Sequence, residues 1–333
     1  FSLLMKVIEI KRSLSLLSGL ILAATTWVVS LELISDRPLP NAIFSQSIIE
    51  RKMEAAEKPG KGSKTLVVGG SNVAFGIDTV RMSRTIGEEF VNFGCIAGIG
   101  PEIILSALRP SLSEGDRILF CWEYGLYRFK RRDQNITYLN LLFGPQREIY
   151  ENYPFLDQVV LSLRLPFGHL RDSLMTHLNP YADPMIYKCS WDFDAGGNVR
   201  SNAGVVTSEE ELLKKSLDAL CTELIVSSEA RKTIMDFLGY CRAMNVEVLA
   251  SWPNLFAHPS YLKNQIPREN IQRIREFWED LSVPVIGKAE DSMLGSEFFH
   301  DTYYHLNTKG VKKRTDLLIE ELKPWYAVPG AEG

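Results

Sequence analysis

The chain has 333 residues, enough for one large α/β domain or two modest ones. An apolar fraction of 45% and a charged fraction of 23% are those of a folding globular chain and exclude wholesale disorder. A formal net charge of −4 offers no basic excess, so nucleic acid is not an expected partner.

The N-terminus differs from the rest. From Ser13 to Leu31 the chain reads SLSLLSGLILAATTWVVSL, without a charge. As a helix this run is about 28 Å long, close to the hydrocarbon core of a bilayer. Lys6, Lys11 and Arg12 precede it, and Glu32 and Asp36 follow it. The positive-inside rule then places residues 1–12 in the cytoplasm, 13–34 in the membrane as a single-pass signal-anchor and the remainder outside; a cleaved signal peptide and a buried core helix are the alternatives. Trp27 suits an interfacial position near the outer end. Residues 35–63 are expected to be a linker. Within it, EKPGKGSK (57–64) combines Pro, Gly, Ser and mixed charge as tethers do.

From residue 64 the pattern alternates. KTLVVGG is a short β-branched run expected as a buried strand, and FGIDTVRMSRTIGEE has helical spacing. EFVNFG (89–94) predicts a second strand, and PEIILSALRPSL a helix opened by Pro101. RILFCWEYG (117–125) predicts a third strand. Residues 127–206, rich in aromatics, Pro and turn formers, read as an insertion of short helices and loops. SEEELLKKSLDALC and SSEARKTIMDFLGYCRAMN are helical, the first with a capping box at Ser208 and Glu211. VEVLASWP (246–253) predicts a strand, IPRENIQRIREFWEDL a helix, VPVIG (283–287) a last strand, and TKGVKKRTDLLIEELKPW a closing helix. The expected fold is α/β: a doubly wound, mostly parallel, flavodoxin-like sheet over 64–333, with the insertion and a preceding transmembrane helix.

In such sheets ligands sit beyond the carboxyl ends of the strands, where Ser71 of VVGGSNVAFGID falls. No lysine follows the glycines as a phosphate loop requires, and Gly69, Gly70 and Gly76 do not fit the dinucleotide fingerprint. Val73 replaces the last glycine of a Gly-x-Ser-x-Gly elbow. Alone, Ser71 reads as a turn residue. A serine nucleophile needs an imidazole in reach, oriented by a carboxylate. GSEFFHDTYYHLNTKG, between the last predicted strand and helix, supplies His305 with Asp301 four residues earlier. His300 reads as a packing residue. A metal held by His300, Asp301 and His305 has no second cluster behind it, and no metal or other cofactor is expected. The five cysteines lack CxxC spacing, and Cys95 and Cys121 are expected in the core.

These two segments together resemble the SGNH (GDSL-like) hydrolase superfamily. Gly69-Gly70-Ser71 resembles its first block, and Asp301 and His305 its last. DTYYHLNTKG is similar to the ending of membrane-anchored relatives that modify the bacterial envelope, of the alginate O-acetylation type and of the type that moves D-alanine onto teichoic acid. The resemblance spans about 64–125 and 229–323. It implies Ser71 as nucleophile, His305 as general base and Asp301 as its orienter. It also implies an oxyanion donor in NFGCIAGIG, with Gly98 as first choice and Gly94 as second, beside the Ser71 N–H. Two features depart from the family: the Asp-to-His gap is one residue longer, and CWEYG stands where Gly-x-Asn-Asp is usual. There Glu123 replaces the oxyanion asparagine, leaving Asn72 and Tyr124 as substitutes, and Glu123 and Tyr124 as site-wall residues. The implied function is acyl-ester transfer or hydrolysis through an acyl-serine on an envelope or secreted polysaccharide. A membrane-bound acyl-carrier protein is an expected further partner. The rival expectation is a catalytically silent domain that binds within a polysaccharide-export complex.

Overall fold

The computed structural model describes residues 2–34, 40–57, 62–168, 171, 175, 188–200, 204, 206–215 and 219–326. The chain divides into two compact units, one of residues 1–46 with 135–188, the other of 47–134 with 189–333.

The elements run in chain order as follows. Helix α1 is Ser2–Ile34 and α2 Pro40–Glu57; strand β1 (Lys64–Gly69) leads into the single turn α3 (Ser71–Ala74) and then α4 (Thr79–Ile86). Next come β2 (Glu89–Gly94), α5 (Gly100–Leu108) and β3 (Arg117–Phe120). Helices α6 (Ile136–Leu142), α7 (Arg147–Glu151) and α8 (Phe155–Arg164) follow. After α9 (Glu209–Lys214) and α10 (Ser228–Ala243) come β4 (Glu247–Ala250) and the short β5 (Leu255–Phe256). Then α11 (Pro259–Lys263), α12 (Gln265–Asp280), β6 (Met293–Leu294) and α13 (Thr308–Tyr326) complete the chain.

The larger unit carries the sheet, four parallel strands in the order β2-β1-β3-β4. Its strands are buried on both faces, as their continuous apolar runs dictate. Val67, Leu119 and Leu249 pack on one side with Met82 of α4 and Leu318, Ile319 and Leu322 of α13. On the other side the Phe120 ring meets Phe237 of α10 and stacks on Trp278 of α12. Trp278 finds a partner for its buried indole N–H in the Tyr127 hydroxyl, 2.8 Å away. The expected doubly wound α/β architecture is therefore the one observed. Among the described residues, Cys95, Cys121 and Cys241 are buried and none of the five cysteines is in a disulfide.

Three expectations need correction. Among the described residues VPVIG pairs with the sheet through one bridge, Val285 to Ala250: on its N-terminal side Pro284 has no N–H and the Val283 N–H goes to the Trp278 carbonyl. The stretch 35–63 is not merely a linker: it holds α2, whose Ile48, Ile49, Ala55 and Ala56 are buried. Residues 35–39 and 58–61 of that stretch lie outside the described residues, as do His169 and His177. Finally, the insertion 127–206 splits between the units, since 135–188 belongs with 1–46 and 189–206 with the sheet. In the smaller unit, the Tyr138 and Tyr153 hydroxyls pair at 2.6 Å and the Tyr150 hydroxyl donates to the Gln158 carbonyl. Within α1, Ile8–Leu31 is long and apolar enough to cross a membrane.

Candidate functional site

The strand order reverses at β1. Its connection to β2 runs to one side, and the next connection crosses to β3 on the other. The crevice this leaves lies between the carboxyl ends of β1 and β3. Ser71 follows β1, and Glu123 follows β3. Gly70 explains why they can meet. A Cβ there would collide with the Glu123 carboxyl group and the Ala97 methyl, so glycine leaves the space in which the Glu123 side chain reaches Ser71. The buried Glu123 accepts two hydrogen bonds on Oε1, from Ser71 Oγ at 3.0 Å and from the Asn72 N–H at 2.9 Å.

Asn92 holds the turn that carries Ser71. From β2 its side-chain amide donates to the carbonyls of Val73 (2.8 Å) and Ile77 (3.1 Å). Its Oδ1 accepts from the Gly94 N–H at 2.9 Å and from Lys52 Nζ at 3.1 Å. Lys52 is fully buried, also donates to the Gly197 carbonyl at 2.6 Å, and lies 5.3 Å from the Phe193 ring centre. Burial is the main reason its pKa falls from 10.5 to about 8, against the opposing pull of Cys95, Asp194 and Cys189. Sequence reasoning missed both residues. The only signal for Lys52 was a cation inside an otherwise apolar stripe of α2.

The loop before α13 solves the longer Asp-to-His gap by winding into a turn. The Thr302 hydroxyl accepts from the N–H groups of Tyr304 (3.2 Å) and His305 (3.1 Å). The Phe299–Leu306 bridge and the His300 N–H to His305 carbonyl bond (2.9 Å) close it. This puts Asp301 Oδ1 at 2.7 Å from His305 Nδ1. Burial would raise the Asp301 pKa, but the His305 hydrogen bond and the nearby charges of His305, His300 and Lys215 outweigh it and hold the carboxyl below its usual 3.8.

The two distant segments meet in a closed circuit of contacts. Ser71 bonds Glu123, and the next residue, Tyr124, donates its N–H to the Tyr304 hydroxyl at 3.3 Å. The His305 ring lies against Phe75, centroids 4.5 Å apart and planes 30° apart. Phe75 returns to Ser71 by its N–H, which donates to the Ser71 carbonyl at 2.9 Å. Ser71, Asp301, His305, Glu123 and Tyr124 are thus brought to one rim. Among the described residues, Glu123 is the hydrogen-bond partner of Ser71 Oγ, while His305 Nε2 has none. Phe75, four residues after Ser71, is a contact the sequence did not suggest.

The remaining expected residues separate. Gly98 sits half-buried in the turn 97–99, next to the Ala97 that faces Gly70. Gly94 does not offer its N–H to a substrate, since Asn92 takes it. A Cβ at Gly94 would strike the Ala74 backbone, so this glycine seats α3 on β2. Asn72 is fully buried and turns inward, giving its N–H to Glu123 and its amide to the Cys121 carbonyl at 2.8 Å. Tyr124 is buried too and joins the two loops. Beside Phe75 opens a groove of about 470 Å³, lined by Asp78, Arg81, Arg84, Arg200 and Lys312 among others. Arg81 is tied to Asp316 at 2.6 Å and Arg200 lies 3.7 Å from Asp194, which leaves Arg84 and Lys312 as the cations on the groove wall without an acidic partner among the described residues. Among the described residues no group of three or more His, Cys, Asp or Glu is placed to hold a metal ion.

No protein-family model and no curated protein matches the chain. Among solved structures it is similar to the crystal structure of a candidate acylhydrolase from Bacteroides fragilis NCTC 9343, at 9% sequence identity and a TM-score of 0.38, over 83% of this chain and 95% of that one. That likeness is too distant to assign chemistry.

Three outcomes are expected from this geometry. Glu123→Ala strands the buried Asn72 N–H and should cost about 1–3 kcal/mol in chemical denaturation, while Glu123→Gln keeps an acceptor and recovers most of it. The Asp301 carboxyl should titrate below 3.8 by carbon NMR, so its pair with His305 persists above that value and is lost only as pH falls through the lowered midpoint; His305→Ala should raise the midpoint. Lys52 has the opposite acid-base sense. Its charged form is disfavoured in the fold, so stability is lowest below pH 8 and grows as pH rises from about 8 to 10.5. That gain should be on the order of 3 kcal/mol relative to Lys52→Met, measured by denaturation across the window.

Proposed function

We propose that the chain is a serine-dependent acyl-ester transferase or hydrolase of the SGNH type. The observation that supports this most is the contact circuit joining Ser71 to the Asp301–His305 pair through Phe75 on one side and Glu123, Tyr124 and Tyr304 on the other. In the proposed reaction Ser71 Oγ attacks the ester carbonyl and its proton passes to His305 Nε2. Asp301 keeps the imidazole in the tautomer with Nδ1 protonated and steadies the imidazolium. The Ser71 N–H and Gly98 receive the negative charge that develops on the carbonyl oxygen, where one lost donor typically costs about 3 kcal/mol. Collapse expels the alcohol, which takes the proton back from His305. The acyl-serine is then attacked by a sugar hydroxyl or by water. For Ser71 to engage His305, its hydroxyl rotates away from Glu123, which acts as the resting acceptor.

The proposed substrate is an envelope or secreted polysaccharide, with a membrane-bound acyl-carrier protein as the donor in the transfer case. The groove beside Phe75, with Arg84 and Lys312 on its wall, has room for a sugar unit. The proposed location is the inner membrane, with α1 crossing once, the N-terminus in the cytoplasm and the sheet domain in the periplasm. Lys11 and Arg12 at the start of the span support that orientation.

A second reading is favoured by one observation, the bond from Ser71 to a buried carboxylate rather than to His305. On that reading the domain is catalytically silent and binds within a polysaccharide-export complex. A fluorophosphonate probe separates the two. The catalytic reading expects labelling that vanishes in Ser71→Ala and falls about a thousandfold or more in rate in His305→Ala, on the scale of triad losses elsewhere. No labelling of the native chain would favour the silent domain. Labelling that survives in Ser71→Ala would move the nucleophile to another serine.

A further inference from the structure

Helix α8 has a face that water does not explain. Phe155, Leu156 and Leu163 on it, and Phe167 just beyond it, are 80%, 63%, 56% and 72% exposed. Leu156 and Leu163 are seven residues apart and share one helical face. Four large apolar side chains on one short segment form the kind of patch that soluble surfaces avoid and interaction sites display. The inward side is filled instead: Leu161, Ser162 and Leu165 are buried, and Gln158 donates to the carbonyls of Glu151 and Tyr153.

The position of this segment along α1 says what covers the patch. Trp27 lies in the last turns of the membrane-length stretch Ile8–Leu31. Its indole N–H donates to the Ser162 carbonyl at 2.8 Å, and its ring stacks on Phe167 with centroids 6.3 Å apart. These two contacts, within one compact unit, fix the end of α8 at the depth of Trp27. Tryptophan at the end of a span belongs to the headgroup boundary, so α8 lies there too. Phe167 goes deeper. It forms one wall of an open groove of about 470 Å³ whose other wall is α1, at Gly19, Leu22, Ala23, Thr26, Trp27 and Ser30. Gly19 is two turns further into the span than Trp27. A ring facing that section faces lipid chains wherever α1 crosses a bilayer. α8 can lie at the headgroup boundary because a helix satisfies most of its own backbone groups, and of the two residues that join it to Phe167, Pro166 has no N–H to satisfy.

We propose that α8 and its extension to Phe167 form a second membrane-contacting element, lying in the plane of the extracytoplasmic leaflet with Phe155, Leu156, Leu163 and Phe167 in the lipid. The proposal rests on α1 being a membrane span but not on any catalytic assignment. Amphipathic helices at the interface bind with their apolar face at the headgroup–acyl boundary, and this one is held there by its own anchor.

The test uses the full chain reconstituted in phosphatidylethanolamine–phosphatidylglycerol vesicles. Leu156→Cys, Leu163→Cys and Phe167→Cys each carry the fluorophore NBD. Leu20→Cys serves as the reference within the span and Lys232→Cys, on α10, as the water-exposed reference. The unsubstituted chain sets the background from native cysteines. All three test positions are more than half exposed; the Phe167 label gives up the ring contact with Trp27, which Leu156→Cys and Leu163→Cys leave in place. The expected result is blue-shifted emission, quenching by lipids carrying a nitroxide high on the acyl chain, and loss of quenching by aqueous iodide at 156, 163 and 167. Iodide quenching at those positions equal to that at 232, with Leu20→Cys still quenched by nitroxide lipid, would overturn the proposal and leave the anchor standing. Shielding from both quenchers would overturn it as well, because a protein would then be the cover. Iodide access at Leu20→Cys would remove the anchor and the proposal together.

Discussion

One carboxamide supports the candidate site from beneath. Asn92 reaches from β2 to hold two carbonyls of the turn after Ser71, while its own oxygen is held by the Gly94 N–H and by Lys52. A four-residue turn has too few internal bonds to fix a serine by itself. Here its geometry comes from the sheet, through a buried polar group with partners on both its donor and acceptor sides. Such groups are stabilising when fully paired and costly when partly paired, which makes the turn rigid and makes each member hard to replace. Lys52 is the extreme case. The fold accepts the desolvation of an ammonium group in order to fill the acceptor positions at Asn92 and Gly197.

On the other side of Ser71 the restraint is of a different kind. The hydroxyl rests on Glu123, which can only accept when ionised, and the imidazole rests on an aromatic ring, which fixes the plane but leaves Nε2 open. The two halves of the site are thus aligned by different forces. One is held by directional hydrogen bonds and the other by packing. The Asp301 contact sets which nitrogen of His305 faces outward, and the Thr302 turn sets where it faces.

Much of this was legible in the sequence because the signals are local. Strands β1, β2, β3 and β4 announce themselves as short β-branched or aromatic runs, and α10, α12 and α13 by their apolar spacing. Ser71 and the Asp301–His305 pair stand out because strand-end glycines and a His-bearing loop before a helix are unusual in composition. What stayed hidden depends on neighbours in space. The Ser71–Glu123 bond follows from β1 and β3 being adjacent, which no single stretch records. α2 looked like part of a tether because Glu50, Arg51, Lys52 and Glu54 give it a polar composition, and only the tertiary fold shows that Lys52 turns inward. VPVIG has the composition of a strand, yet Pro284 has no N–H for the ladder and the Val283 N–H is taken by the end of α12 at Trp278. Asn72 and Gly94 sat in the right blocks but serve the scaffold, because the groups that would have met a ligand are occupied within the fold.

The parallel order of the sheet has a consequence for biosynthesis. Parallel strands cannot pair until the connection between them is complete, and contacts that span a long stretch of chain form late. Ser71 leaves the ribosome more than two hundred residues before His305. The turn that orients the imidazole is followed directly by α13, whose last residue, Tyr326, hydrogen-bonds Thr65 at the start of the sheet at 2.5 Å. Under the proposed chemistry a nascent chain that has not yet reached α13 therefore carries an unactivated hydroxyl, and reactivity toward esters arrives only once that helix has docked on the sheet.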